Sequence, residues 1–307
     1  MRQLLDLYDN VMMYGTDKED RTGTGTRSLF GYQMRFDLND GFPATTTKKL
    51  AWKSMVGELL WFIEGSRDER RLAEITHGSR DSGKTIWTDN AQAPYWKPKA
   101  EFDGDLGRVY GVQWRHWRKS SSWDAKPVPW TIDSHGQKTW TGTITYPGVD
   151  YVDQLSLLVE GLKKDPNGRR HILTAWNPGE LDLMALPPCH CFSQFMVIEN
   201  KLSCQTYIRS NDLFLGAPFN IASYALFTHM LAQVCGYGVG ELVYTIGDAH
   251  IYRNHFSQVE EQLSREPYPL PTLWINPDVK TITGFKIDDF RLENYQHHAP
   301  IKADMAV

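Results

Sequence analysis

The sequence predicts an α/β fold, and three observations predict it. Helical stripes and period-two strand segments are mixed along the chain, residues 219–235 are apolar on nearly every side and therefore central, and no repeat or linker divides the 307 residues. We therefore read residues 1–307 as one domain carrying an inserted subregion. Taken in order, Leu4, Leu5, Leu7, Tyr8, Val11 and Met12 form a helical stripe over 2–14, with Gly15 as its stop. The segment RTGTGT, Arg21 to Thr26, is a Gly-rich loop, and after it Phe30, Tyr32, Met34 and Phe36 share one face of a strand. The loop precedes a strand instead of opening a helix, so it is not a dinucleotide fingerprint. Residues 52–64 read as a largely buried helix with Glu58 among apolar neighbours, an expensive place for a carboxylate.

From about Ser66 the pattern loosens, and the region at about 118–150 mixes Ser, Pro, Gly, Lys and Trp without a period, as a surface insertion does. Its Trp123, Trp130 and Trp140 either pack on the body or form a contact surface. Order returns with an amphipathic helix over 152–164 ended by DPNG. Three strands follow, RRHILTAW, FSQFMVIE and KLSCQTYIRS, the last two joined by a tight turn near Asn200. Further strands and the tail IKADMAV close the chain.

Bulk properties narrow the functional classes. With 41% hydrophobic and 23% charged residues and no apolar run of bilayer length, the composition is that of a soluble protein without a membrane segment. The N-terminus carries acidic residues early and lacks an apolar signal region, which predicts a cytoplasmic location. Cys189, Cys191, Cys204 and Cys235 form no Cys-x-x-Cys pair, so free thiols are expected and neither a disulfide framework nor a metal site. A net charge of -4 gives no general attraction to nucleic acid, so any phosphate must meet a local arginine cluster.

That cluster surrounds a thiol. In ALPPCHCFSQF, Pro187 and Pro188 lock the backbone before Cys189 and so aim it from a stiff extended arm. Taken alone, such a cysteine could fill a strand-end gap as a small hydrophobe, and the neighbours decide. Arg169 and Arg170 head one strand, Arg209 and Ser210 end another, and Asp212 and Asn220 follow. Arginine forks suit a phosphate dianion, and a nearby guanidinium lowers a thiol's pKa toward the thiolate. A carboxamide at Asn220 can both accept from N3–H and donate to O4 of a uracil.

At this point the chain closely resembles folate-dependent thymidylate synthases. The segments DRTGTGT, GFPATTTKK, ELLWF, VYGVQWR, RRHILTAWNPGEL, ALPPCH, FLGAPFNIASYALFTHMLAQ, GDAHIYRNH, LSREP and PIKADMAV stand in that family's order and cover nearly everything outside the insertion. The resemblance implies a three-layer fold around a bent mixed sheet, working as a homodimer. It implies that Cys189 adds to C6 of dUMP and that 5,10-methylenetetrahydrofolate supplies the one-carbon unit. By the same resemblance, Arg21, Arg209 and Ser210 bind the phosphate, together with Arg169 and Arg170 lent by the partner subunit. Asn220 reads the uracil, and His250 with Tyr252 bonds the ribose hydroxyl. His190 orders the nucleophile's surroundings, Glu58 relays protons toward O4, and Tyr110 stands near the C5 proton. Trp87, Asp212, Leu215, Gly216 and Phe219 contact the folate, Lys48 meets its glutamate tail, and Val307 ends the segment that closes over it.

Four positions depart from the family's usual residues: Thr88 replaces an aspartate, Ser193 a larger apolar residue, Ile208 a glutamine and Ile246 a glycine. Relatives that hydroxymethylate dUMP let water capture the same methylene intermediate, and the added polarity of Thr88 and Ser193 keeps that alternative open. Trp87 and the complete tail favour methylation. A silent nucleotide-binding relative, using the Trp-rich insertion for contacts, is the remaining alternative, and the presence of both Cys189 and Glu58 argues against it.

Overall fold

The structure, a computed structural model, describes residues 1–20, 22–119, 130–132, 134, 138–140 and 150–305. Helix α1 (Arg2–Tyr14) buries the predicted stripe except Met12, which is half-buried, and stops at Gly15. Strands β1 (Thr16–Lys18) and β2 (Thr26–Asp37) flank the Gly-rich loop. Helix α2 (Trp52–Glu64) ends on left-handed Gly65, and α3 (Glu69–His77) starts where the Asp68 carboxylate accepts from the Arg70 amide. Two short helices follow, α4 (Thr88–Ala91) and α5 (Tyr110–Arg115). Helix α6 (Gln154–Lys164) begins two residues later than the apolar pattern suggests, because Asp153 takes the N-cap and accepts from the Ser156 amide. Strands β3 (Ile172–Thr174), β4 (His190–Ile198) and β5 (Lys201–Asp212) follow; Glu199 and Asn200, both at positive φ, make the turn between the last two. Helix α7 (Gly216–Cys235), strand β6 (Gly238–Tyr252) and helix α8 (Phe256–Leu263) complete the main elements.

The six strands form one mixed sheet in the order β1-β2-β6-β5-β4-β3. Only β5 and β6 run parallel; every other neighbouring pair is antiparallel. Register shifts between His190 and Phe192 and between Val239 and Leu242 bend it locally. Helix α7 is buried along most of its length, packing on β5 and β6 and against α2, so sheet, central helix and outer helices make three layers. This topology sets the site. Parallel β5 and β6 end together at Asp212 and Tyr252, and antiparallel β4 and β2 begin at that same end with His190 and Thr26.

The structure differs from the sequence reading at several points. Phe30 does not join the buried face of Met34 and Phe36: it is 88% exposed, because Gly31 at φ 80 breaks the alternation next to it. Helices α3 and α8 were not expected, since each buries only a few side chains and shows no sustained stripe. Helix α7 starts three residues earlier than the apolar run. Of the insertion, Trp130–Ile132 pairs with Lys138–Trp140, and Trp117–Lys119 pairs with Asp150–Val152 to close its base; Trp123 lies outside the described residues.

The segment leading to Cys189 is laced to the stretch before α5. Arg108 donates through Nε to Glu180 at 2.6 Å, and the Gln113 side chain donates to the same carboxylate at 2.8 Å, all of them buried. Burial alone would raise the Glu180 carboxyl, but the bonds from Arg108 and Gln113 outweigh it and hold it below its ordinary value. The Arg108 amide donates to the Leu183 carbonyl and the Ala185 amide to that of Leu106. Removing one partner of a buried pair strands the other, so Glu180→Ala should destabilise the protein by about 3–5 kcal/mol. The midpoint of urea unfolding tests this, and a loss below about 1 kcal/mol would show that the pair is solvent-compensated.

Candidate active site

Cys189 is held by main-chain bonds on both sides. The Arg209 guanidinium donates through Nη2 to the Pro187 carbonyl and through Nε to that of Pro188, both at 2.9 Å. The Arg209 amide donates to the Cys189 carbonyl at 2.9 Å, and the Cys189 amide donates to the Tyr110 hydroxyl at 2.8 Å. Tyr110 takes φ 26, an uncommon conformation for a residue with a Cβ, and its ring stacks on Phe62 at 4.8 Å. The expectation that arginine lowers the thiol's pKa holds only as one contribution. Burial raises Cys189 above its ordinary value overall, against the opposing pull of Arg209 and the Tyr110 hydroxyl.

Two adjoining cavities meet at this thiol. The first, about 290 Å³, is lined by Glu58, Trp87, Tyr110 and His190 on one side and by Asp212, Leu215, Gly216, Phe219 and Asn220 on the other. Buried Glu58 accepts from the Trp87 indole at 2.8 Å, and burial lifts its carboxyl to about 7 against that bond. Burial lowers His190 to about 4 against the opposing influence of the Asn220 side chain, so its ring is neutral at pH 7. It sits edge-on to Tyr110 and Tyr224. Asp212 uses Oδ1 to accept the Phe214 and Leu215 amides ahead of α7. A Cβ on Gly216 would come within 3.1 Å of Asn211 Nδ2, so glycine keeps this wall thin. Largely apolar walls with the two carboxylates of Glu58 and Asp212 suit a flat ring that carries N–H donors.

The second cavity, about 450 Å³, is lined by Arg209, Ser210, His250 and Tyr252 together with Lys18, Asp20 and Asp248. Asp20 organises the Gly-rich loop by accepting from the amides of Thr22 and Gly25 at 3.0 and 2.8 Å. Asp248 accepts from Lys18 at 2.6 Å and stands 3.7 Å from His250 Nδ1; burial would raise its carboxyl, but its interactions with His250 and Lys18 hold it well below the carboxylate range. Cys189, Ser210, Asp212, Tyr252, Asn90, Leu186 and Met305 border both cavities.

Not every expected residue comes to this place. Arg21 and Val307 lie outside the described residues. Arg169 and Arg170 are exposed at the head of β3 and line neither cavity. Lys48 is buried away from both: its ammonium donates to the Phe214 carbonyl and lies 3.5 Å over the Phe214 ring. Burial draws it down to about 7, opposed by Asp212. Thr88 and Ser193 also turn elsewhere. The Thr88 hydroxyl bonds Glu69, and Ser193 is buried and donates to Thr206 Oγ1 at 3.0 Å. Ile208 and Ile246 are register partners buried in the core. The sequence reading missed Asn90, Leu186, Met305, Asp20 and Asp248. Only Asp20 carried a signal, an aspartate ahead of a Gly-rich loop, which commonly caps its own turn.

Among the described residues no helix is long and apolar enough to cross a membrane. A family model described as Thymidylate synthase matches residues 2–307. That family implies an enzyme of the methyltransferase type acting on dUMP with methylenetetrahydrofolate as co-substrate.

The raised Glu58 carboxyl has a consequence for stability. The folded protein holds this proton up to about pH 7, whereas an ordinary glutamate releases it near 4.5. The stability referable to Glu58 is therefore complete below the ordinary value and is lost as pH rises to about 7. Glu58→Gln should flatten the decline between pH 5 and pH 8 by on the order of 1–3 kcal/mol. Unfolding midpoints across that range decide it: parallel curves for parent and variant would mean that Glu58 ionises normally.

Proposed function

The chain belongs to the thymidylate synthase family, and on that premise we propose that it methylates C5 of dUMP to give dTMP, with 5,10-methylenetetrahydrofolate as co-substrate. One observation carries the reading: the Cys189 side chain borders both cavities, so a nucleophile stands where two ligands would meet. The nucleotide belongs at the cavity of Arg209, Ser210, His250 and Tyr252. There the serine and the arginine receive the phosphate, and His250 and Tyr252 receive the ribose hydroxyl; the family resemblance adds Arg21 to the phosphate ligands. Asn220, at the floor of the other cavity, offers a carboxamide to N3 and O4 of the uracil.

In the first step the Cys189 thiolate forms a bond to C6, the C5–C6 π bond breaks, and its electron pair passes to O4. Glu58, with a pKa of about 7, is protonated about half the time at neutral pH and can neutralise that oxygen, directly or through water. C5 is thereby left as a carbon nucleophile. Tyr110 is neutral, because burial holds its phenol well above the ordinary range, and the Cys189 amide orients its hydroxyl toward the side where the C5 proton departs. Once C5 has bonded the one-carbon unit, loss of that proton returns the electron pair to O4 as an enolate, whose collapse restores the C5–C6 π bond, breaks the S–C6 bond and regains the thiolate. Trp87, Asp212, Leu215, Gly216 and Phe219 would hold the folate, which when bound supplies the one-carbon unit and, for methylation, a hydride. Trp87 also keeps Glu58 oriented and away from water.

A second reading, hydroxymethylation of dUMP, is favoured by Asn90, whose carboxamide makes no hydrogen bond to a described residue and stands at the rim of both cavities. It is disfavoured by the inward-directed bonds of Thr88 and Ser193, which keep both hydroxyls out of the cavities. Incubation with dUMP and methylenetetrahydrofolate separates the two by product mass. Methylation gives dTMP and dihydrofolate; hydroxymethyl-dUMP with tetrahydrofolate would overturn it. Cys189→Ser should fold and bind dUMP yet lose at least about a thousandfold in turnover, since an alcohol is a far weaker nucleophile than a partly ionised thiol.

The reading extends to a homodimer. Arg169 and Arg170 are exposed and make no ion pair with a described residue, and Phe192, Met196 and Ile198 leave one face of β4 apolar and open. A second copy would cover that face and lend the partner's Arg169 and Arg170 to the phosphate. Mixing Arg170→Ala with Cys189→Ser under subunit-exchange conditions should restore activity through hybrid dimers, up to about a quarter of the parent's when one intact site forms per hybrid. Failure to restore any activity would remove the shared site.

A further inference from the structure

We propose that His255 is a positioning residue of this site: it grips the main chain at Asp304 and so holds the C-terminal segment over the mouth shared by the two cavities. For its catalytic consequence the inference rests on the function proposed above; its geometry stands apart from it. His255, between Tyr252 and α8, is completely buried. Its Nε2 lies 2.8 Å from the Asp304 carbonyl. A carbonyl only accepts, so Nε2 carries the hydrogen and Nδ1 is left as a bare acceptor. That Nδ1 is buried and has no hydrogen-bond partner among the described residues. An apolar side chain could fill the same slot without stranding a nitrogen, so the bond to the tail is the use this position makes of an imidazole.

The path of the tail explains why one bond matters. Tyr295 donates to the Thr45 carbonyl at 2.6 Å, the His298 amide to that of Thr46 at 2.8 Å, and Arg265 to that of Ala299 at 2.6 Å. From Pro300 to Met305 the bond to His255 is the only hydrogen bond to the rest of the chain among the described residues. One residue later, Met305 borders both cavities. On its other side the His255 ring packs 5.4 Å from Phe214, whose carbonyl receives Lys48, and 5.9 Å from Tyr252, which lines both cavities. His255 thus ties the last anchored point of the tail to the floor of the site without touching either cavity.

The test uses the full-length protein. In His255→Leu the donor is lost, and in His255→Asn the amide sits near the position of Nδ1, too short to reach the Asp304 carbonyl. In both, carboxypeptidase should remove Met305 from the ligand-free protein roughly five- to tenfold faster than from the parent, the factor one hydrogen bond carries. The KM for methylenetetrahydrofolate should rise by a similar factor, while the dissociation constant for dUMP, measured by equilibrium dialysis, stays within about twofold. His255→Gln, whose Nε2 can reach the same carbonyl, should recover most of both losses. A folded His255→Asn protein trimmed at the parent's rate overturns the proposal, and so does a Gln variant no better than Asn. If His255→Leu does not fold, the Asn and Gln pair decides the matter. A parent that turns over no dUMP would sink the functional reading alone, because the trimming rates still report on His255.

Discussion

The clasp of Arg209 on the two proline carbonyls is the interaction on which the rest of the site depends. Prolines supply no amide hydrogen, so the arm before Cys189 can be tied down only through its carbonyl oxygens, and one guanidinium takes both. The neighbouring strand then completes the hold, since the Arg209 amide meets the Cys189 carbonyl. A planar fork with several fixed donors can do this, whereas an ammonium group would have to choose. The clasp also brings a permanent positive charge beside a thiol that burial would otherwise leave as a poor nucleophile. The same side chain lines the cavity assigned to the nucleotide, so position, charge and ligand contact reside in one residue.

Around that clasp the protein accumulates ionisable groups in places where charge is unwelcome. Glu58 rises to about 7, Lys48 falls to about 7 and His190 falls to about 4, in each case with burial as the largest cause. The three shifts have one origin, a region around the site with little access to water, and different uses. Glu58 becomes able to exchange a proton near neutrality. His190 becomes a fixed neutral ring against Tyr110 and Asn220. Lys48 braces the Phe214 carbonyl where α7 is about to begin.

Sequence-distant segments meet here because the topology compels it. The loop at 44–50 is stitched to residues 295–299, and His255 binds the tail one step before Met305 reaches the cavities. These joins are bonds to main-chain oxygen atoms, which any sequence supplies. No pattern of residue types advertises them, and Asn90, Leu186 and Met305 escaped the sequence reading for the same reason.

Much was legible beforehand. Apolar periodicity was enough for α1, α2, α7 and strands β2 to β5, because a stripe that must be buried constrains its element wherever it packs. The order of the family's segments was enough for Cys189, Glu58, Trp87, Asn220 and the residues ending β5 and β6, all of which border the cavities. Direction and surroundings were not legible. Phe30 turned outward because Gly31 broke the alternation of the strand, Lys48 turned inward, and Thr88 and Ser193 spent their hydroxyls on neighbours. A sequence determines which groups a chain owns and which faces it must bury, since both follow from composition and local periodicity. Which group faces which partner is decided only when distant segments pack, because a buried donor or acceptor must take whatever partner the completed fold sets within about 3 Å.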